Sequence, residues 1–111
     1  MRIKLSNRGS TLIVGIIGEL DHHTAEYLRQ KVDEEIIKAA IKNIVFDFSK
    51  VGFMDSSGVG AIMGRYKNIR KLNGKAAIIN ANAQIKRIFE MSGLTKIVGI
   101  YNNVDEAIKN M

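Results

Sequence analysis

The sequence predicts an α/β domain: a mostly parallel mixed sheet that begins with an antiparallel hairpin and carries about four helices. Three observations predict it. Short apolar, β-branched runs alternate with longer segments whose apolar residues recur at helical spacing. Two strand-like runs precede the first helix with only a turn between them, which requires antiparallel pairing. The 111 residues suffice for one hydrophobic core and not for two, so a single domain is expected over residues 1–111.

Ile3 to Ser6 alternates in the period of two of a half-buried strand, Asn7-Arg8-Gly9-Ser10 supplies turn chemistry, and Thr11 to Ile17 forms the second strand, closed by Gly18. Asp21 or Thr24 can cap a helix with an apolar stripe at Ala25, Leu28, Val32, Ile36 and Ala39 or Ala40, and Glu26 faces Arg29 and Gln30 on its exposed side. Asn43 to Phe48 reads as a buried strand, followed by a loop. The next helix places Val59, Ile62, Met63, Tyr66, Ile69 and Leu72 inward and stops at Asn73-Gly74. Ala76 to Ile79 is a strand. Ala83 to Met91 is a helix with Ile85, Ile88 and Phe89 inward, ended by Ser92-Gly93. Ile97 to Tyr101 and Val104 to Ile108 complete the chain as strand and helix. No repeat, linker or low-complexity tract interrupts this order.

Composition narrows the function classes. With 46% hydrophobic and 25% charged residues the chain is neither disordered nor fibrous. No apolar run approaches the ~20 residues of a membrane span, and the alternating start Met1 to Ser6 lacks the apolar stretch of an export signal. The absence of cysteine removes disulfides, thiolate metal sites and thiol nucleophiles, so a cytoplasmic location is expected. The net charge of +6 raises the question of nucleic acid. Its lysines and arginines are dispersed, however, without the interleaved aromatics of a single-strand binder or a helix-turn-helix, and a solvated basic face is the reading adopted.

Two segments can carry chemistry, both at strand-to-helix junctions, where ligands collect in open α/β sheets. The first is the loop Val51 to Gly60, containing Phe53-Met54-Asp55-Ser56-Ser57-Gly58. Asp55, Ser56 or Ser57 can each cap the following helix. A helix start also accommodates a phosphoryl group through its free amides and dipole, so Ser56 or Ser57 is the candidate working residue. Gly58, Gly60 and Gly64 match neither a phosphate loop nor a dinucleotide fingerprint, and imply close packing of the helix on the sheet. The second segment, Gly18 to Glu26, contains Asp21, His22 and His23. Adjacent histidines point apart and no third and fourth ligand follow at a defined spacing, so a metal is not expected. A hydrolase elbow, Gly-x-Ser-x-Gly, is absent too. This segment is expected to form a polar rim beside the serine loop.

Glu19-Leu20-Asp21-His22-His23-Thr24-Ala25-Glu26, the serine loop with Gly64-Arg65-Tyr66-Lys67, and Met91-Ser92-Gly93-Leu94 together resemble the anti-sigma-factor antagonists of spore-forming bacteria, within the STAS family of sulfate-transporter and anti-sigma-antagonist domains. The resemblance covers nearly the whole chain. It implies a STAS-like fold and a non-enzymatic regulator that binds an anti-sigma factor serine kinase, so releasing a sporulation sigma factor. It further implies that the serine directly after the aspartate, Ser56, is phosphorylated by that kinase and dephosphorylated by a PP2C-type phosphatase, with Ser57 a structural neighbour. Asp21, His22, His23, Asp55, Ser56, Ser57 and Gly58 would form the partner-binding surface. ATP and magnesium would belong to the kinase, leaving no cofactor in this chain, and the free protein is expected to be a monomer. A lipid-transporter or stress-pathway subunit is the alternative within the family. Relatives often start the helix near Ile85 with a proline that this chain lacks, so Asn82 or a neighbour must cap it.

Overall fold

The computed structural model describes residues 1–111. Its elements are β1 (Arg2–Arg8), β2 (Thr11–Leu20), α1 (His22–Lys38), β3 (Asn43–Met54), α2 (Ser56–Lys71), β4 (Ala76–Ile79), α3 (Ala83–Met91), a 3₁₀ turn (Leu94–Lys96), β5 (Gly99–Tyr101) and α4 (Val104–Lys109). The five strands lie side by side in chain order. β1 and β2 pair antiparallel, while β2 to β5 pair parallel throughout. The predicted fold class is therefore the observed one.

Successive crossovers step in one direction across the sheet, and their uniform handedness leaves the connecting helices on one face. The main core accordingly joins Leu28, Val32 and Ile36 of α1, Ile62 and Ile69 of α2, and Ile85 and Phe89 of α3 to alternate strand residues such as Val14, Phe46 and Ile78. Phe48 meets Phe89 edge-on, ring centroids 5.3 Å apart. The intervening strand residues point the other way: Val45, Ala77 and Ile79 form a smaller cluster under Ala107 of α4.

Several boundaries differ from the sequence reading. The opening turn is only Gly9-Ser10, because Arg8 already pairs with Thr11; Gly9 supplies a left-handed φ of 58°. Gly18 does not close β2. The strand runs on to Leu20 through register shifts between Gly15 and Ile17 and between Gly18 and Glu19, and Gly18, at φ 116°, absorbs the irregularity. β3 likewise continues past Phe48 to Met54, pairing Val51 with Gly18 and Met54 with Leu20. The expected loop from Val51 to Gly60 is thus mostly strand and helix, and only Asp55 separates them. In α2 the inward stripe contains Arg65 in place of Leu72, which is half-exposed. α3 has the expected limits, and the Asn82 side chain accepts from Ile85 N at 2.9 Å, fulfilling the expectation of a cap without proline.

Candidate functional site

Leu20 and Met54 are opposite each other in register at the carboxyl ends of β2 and β3, so the helices that follow start side by side. Asp55 N donates to Leu20 O at 3.3 Å and ties the two junctions together. The expected polar rim beside the serine segment is present in this form.

At the first junction Asp21 is the N-cap of α1. Its Oδ1 accepts from the amides of His23 and Thr24, each at 3.0 Å. Thr24 Oγ1 accepts from Asp21 N at 2.8 Å, completing a capping box, and also donates to Glu19 O at 2.8 Å. The Thr24 amide, foremost, holds the Asp21 carboxyl below its usual range; the Thr24 hydroxyl, the His23 amide and the charge of His23 act the same way, and desolvation opposes them. His22 and His23 are exposed, and their rings pack edge-on with centroids 5.8 Å apart. No group of three ligating side chains gathers around them.

At the second junction the capping duty falls to Asp55, whose Oδ1 accepts from Ser57 N at 2.8 Å. Neither serine caps through its side chain. Ser56 is the first residue of α2 and is exposed, whereas Ser57 is half-buried. Gly58 is buried beneath them: a Cβ there would sit 2.4 Å from Met54 Cγ and 3.1 Å from Leu20 Cδ2. The close packing inferred for the glycines holds for this one. It fails for Gly60 and Gly64, where a Cβ would meet nothing within 4 Å.

An open groove of about 420 Å³ runs between α1 and α2, lined among others by His22, Glu26, Arg29, Ser57, Gly60 and Arg65. On its α1 wall Arg29 Nε donates to Glu26 Oε2 at 2.9 Å. On the α2 side the Arg65 side chain is only 7% exposed and lies 2.9 Å, Nε to Oδ1, from Asp33. Burial lowers the Arg65 pKa, with the Asp33 charge working against that shift. Sequence reasoning missed Arg65 because it stands in a basic group with Tyr66 and Lys67. Its spacing, three after Ile62 and four before Ile69, was the available signal.

The site therefore sets Asp21 and Asp55 at neighbouring caps, lines one groove with His22 and Ser57, leaves Ser56, His22 and His23 exposed, and places Gly58 below. Residues 2–107 match the STAS domain model. The chain belongs to the STAS domain family. It is similar along its full length to the anti-sigma F factor antagonist of Paenibacillus polymyxa, at 40% identity over 95% of that protein. It is also similar, at 28% identity over 90% of each chain, to the anti-sigma-B factor antagonist of Bacillus subtilis. Among solved structures, the Bacillus cell fate determinant SpoIIAA in its phosphorylated form superposes with a TM-score of 0.77 at 31% identity, covering 98% of both chains. No helix of the STAS chain described here is long and apolar enough to cross a membrane.

Proposed function

We propose that this protein is an anti-sigma factor antagonist that binds an anti-sigma factor serine kinase, frees a sporulation sigma factor, and is switched off by phosphorylation of Ser56. The observation that carries the reading is the division of labour at Asp55-Ser56: the aspartate caps α2, so the exposed serine hydroxyl is free of any structural task. A phosphate on Ser56 would add about 1.5 to 2 negative charges beside Asp55 and at the amide end of α2. The helix start tolerates that charge. A packed docking surface containing Asp21, Asp55 and the groove mouth does not, because bulk, desolvation and repulsion from partner carboxylates all oppose contact. A loss of about 3 to 4 kcal/mol weakens binding by two to three decades, enough to release the kinase.

In this scheme the kinase brings ATP and magnesium, a PP2C-type phosphatase removes the phosphate, and the antagonist itself acts in the cytoplasm as a monomer by binding alone. The greater identity to the sigma F relative than to the sigma B relative supports the sporulation partner over the stress-response one. The test is to mix the purified chain with its cognate anti-sigma kinase, ATP and magnesium and to map the product by mass spectrometry. Phosphate on Ser56 is expected, with Ser56→Ala still binding the kinase and staying unmodified. Phosphate confined to another residue would overturn the assignment.

A further inference from the structure

The ends of α1 and α2 remote from Ser56 leave aliphatic side chains in solvent. Ile37 is 84% exposed, more than any other large hydrophobic residue of the chain, and Leu72 is 48% exposed. One apolar residue on a surface needs no explanation, but these two line the same groove. Two adjoining cavities of about 350 and 450 Å³ share Ile36, Ile37 and Leu72 and so form one continuous channel between the helices. Its floor, Ile36 and Ile41, is buried, while Ile37 and Leu72 stand above it as rims.

Ala40 is a second mark on the same groove. α1 closes with Ile41 N donating to Ile36 O at 3.1 Å, in a turn whose left-handed position is usually glycine. Here that position is Ala40, at φ 51°, and it is exposed and lines the groove. The other two non-glycine residues with positive φ are Asn73 and Asn80, a residue type that tolerates it. Ala40 therefore adds apolar surface to the groove and nothing to the core.

Charge narrows the occupant. Lys71 lines one half of the groove and Lys42 the other, and neither is in an ion pair. The one carboxylate of the lining, Asp33, is already held by Arg65 and by Asn68 Nδ2, which donates to it at 3.2 Å. Lys71 answers in part the carbonyl end of α2, but Lys42 lies beyond the last turn of α1 and has no such role. The groove is thus apolar along its floor and positive at its edges. A second copy of the chain seated face to face would bring these lysines against their own kind. A lipid surface needs apolar side chains that protrude, whereas a buried floor between two rims fits inserted side chains.

We propose that this groove docks an acidic amphipathic helix of a second protein partner, with its aliphatic side chains on the floor and its carboxylates against Lys42 and Lys71. Leu72 lies about 24 Å along α2 from Ser56. Occupancy is therefore independent of the state of the serine and compatible with a kinase bound at the other end of the helices.

The probe is a synthetic helical peptide with leucine at i, i+3, i+4 and i+7 and glutamate and alanine elsewhere, titrated into the isotope-labelled full chain and followed by nuclear magnetic resonance. Saturable binding with a dissociation constant below about 1 mM is expected, with the largest shifts at Ile37, Ala40, Ile41 and Leu72. The same peptide with lysine for glutamate is expected to bind at least tenfold more weakly. Ile37→Gln should weaken the acidic peptide at least tenfold while the melting temperature stays within a few degrees of wild type, because the side chain is already in solvent. Lys42→Glu with Lys71→Glu should reverse the preference between the two peptides, which a merely structural role of the lysines would not do. Ser56→Glu should leave the peptide affinity unchanged, and Ile37→Gln should bind the anti-sigma kinase as wild type does. Absence of saturable binding, shifts centred elsewhere, or full affinity in Ile37→Gln overturns the proposal. A concentration-dependent dimer in ultracentrifugation that Ile37→Gln abolishes would make the occupant a second copy. Binding to phosphatidylglycerol vesicles that Ile37→Gln abolishes would make it a lipid surface. A tenfold loss of kinase affinity in Ile37→Gln would assign the groove to the kinase interface; each of these three results overturns a separate acidic partner.

Discussion

The junctions that start α1 and α2 align residue by residue: Asp21-His22-His23-Thr24 against Asp55-Ser56-Ser57-Gly58. Each aspartate caps its helix, and each follows one member of the register pair Leu20 and Met54. The difference is at the fourth position. Thr24 closes the capping box from the far side and also holds Glu19 O, so the start of α1 is locked at both ends. Gly58 cannot reciprocate, because Met54 and Leu20 occupy the space a side chain would need. The start of α2 therefore rests on one side-chain bond, Asp55 to Ser57 N, with the Ser56 hydroxyl free on the surface. A fold that clamps one junction and leaves its neighbour lightly held would confine the proposed modification to the second.

The strongest way to break this comparison is to put the same charge at the first residue of each helix. Ser56→Glu is expected to weaken kinase binding by about two decades, roughly 2.7 kcal/mol, while the melting temperature stays within a few degrees of wild type. His22→Glu, at the same position of α1, is expected to cost no more than about tenfold, or 1.4 kcal/mol, because it stands on the rim of the proposed surface. Equal losses from the two, measured by calorimetry, would remove any privilege of the second junction. Next in size is Gly58→Ala. The added methyl must displace Met54 or Leu20, so the variant is expected to lose about 2 kcal/mol in urea unfolding. A neutral result would mean that Met54 repacks freely and that the space above Gly58 is open to a side chain after all.

The contrast between the junctions was only half legible in the sequence. Elements with sharp punctuation, such as Ala76–Ile79 and the helix from Ala83 to Met91, could be read to the residue. The ends of β2 and β3 could not, because Gly18 and the run Ser49-Lys50-Val51-Gly52 look like strand terminators. What carries both strands onward is their pairing with each other, Val51 opposite Gly18 and Met54 opposite Leu20, which no local pattern reveals. Asp55 and Ser56 were visible as cap and candidate hydroxyl, but which group did the capping needed the structure, as three side chains were eligible. Arg65 was hidden for a different reason. Residue type assigns an arginine to solvent although its spacing puts it on the inward stripe, and the arrival of Asp33 from α1 makes its burial tolerable.

The capping difference is the next quantity to test. Asp55→Ala removes one accepted bond and is expected to cost about 1 kcal/mol of stability. Asp21→Ala removes two accepted bonds, while Thr24 keeps its bonds to the backbone of residues 19 and 21, so its melting temperature should fall further than that of Asp55→Ala. The reverse order would show that the box is not what secures α1.

The smallest effect is in the pH dependence. The Asp21 carboxyl is held below its usual pKa in the folded chain, first by the Thr24 amide. A depressed folded pKa means that the charged form contributes stability above the unfolded value, about 3.9, and that this contribution is lost as pH falls through the lower folded value. Asp21→Asn keeps a capping oxygen without the charge. The gap in melting temperature between wild type and Asp21→Asn should therefore be constant above about pH 5 and narrow as the solution becomes more acid. A gap that widens on acidification would reverse the sign of the linkage and place the charge of Asp21 among the liabilities of the junction.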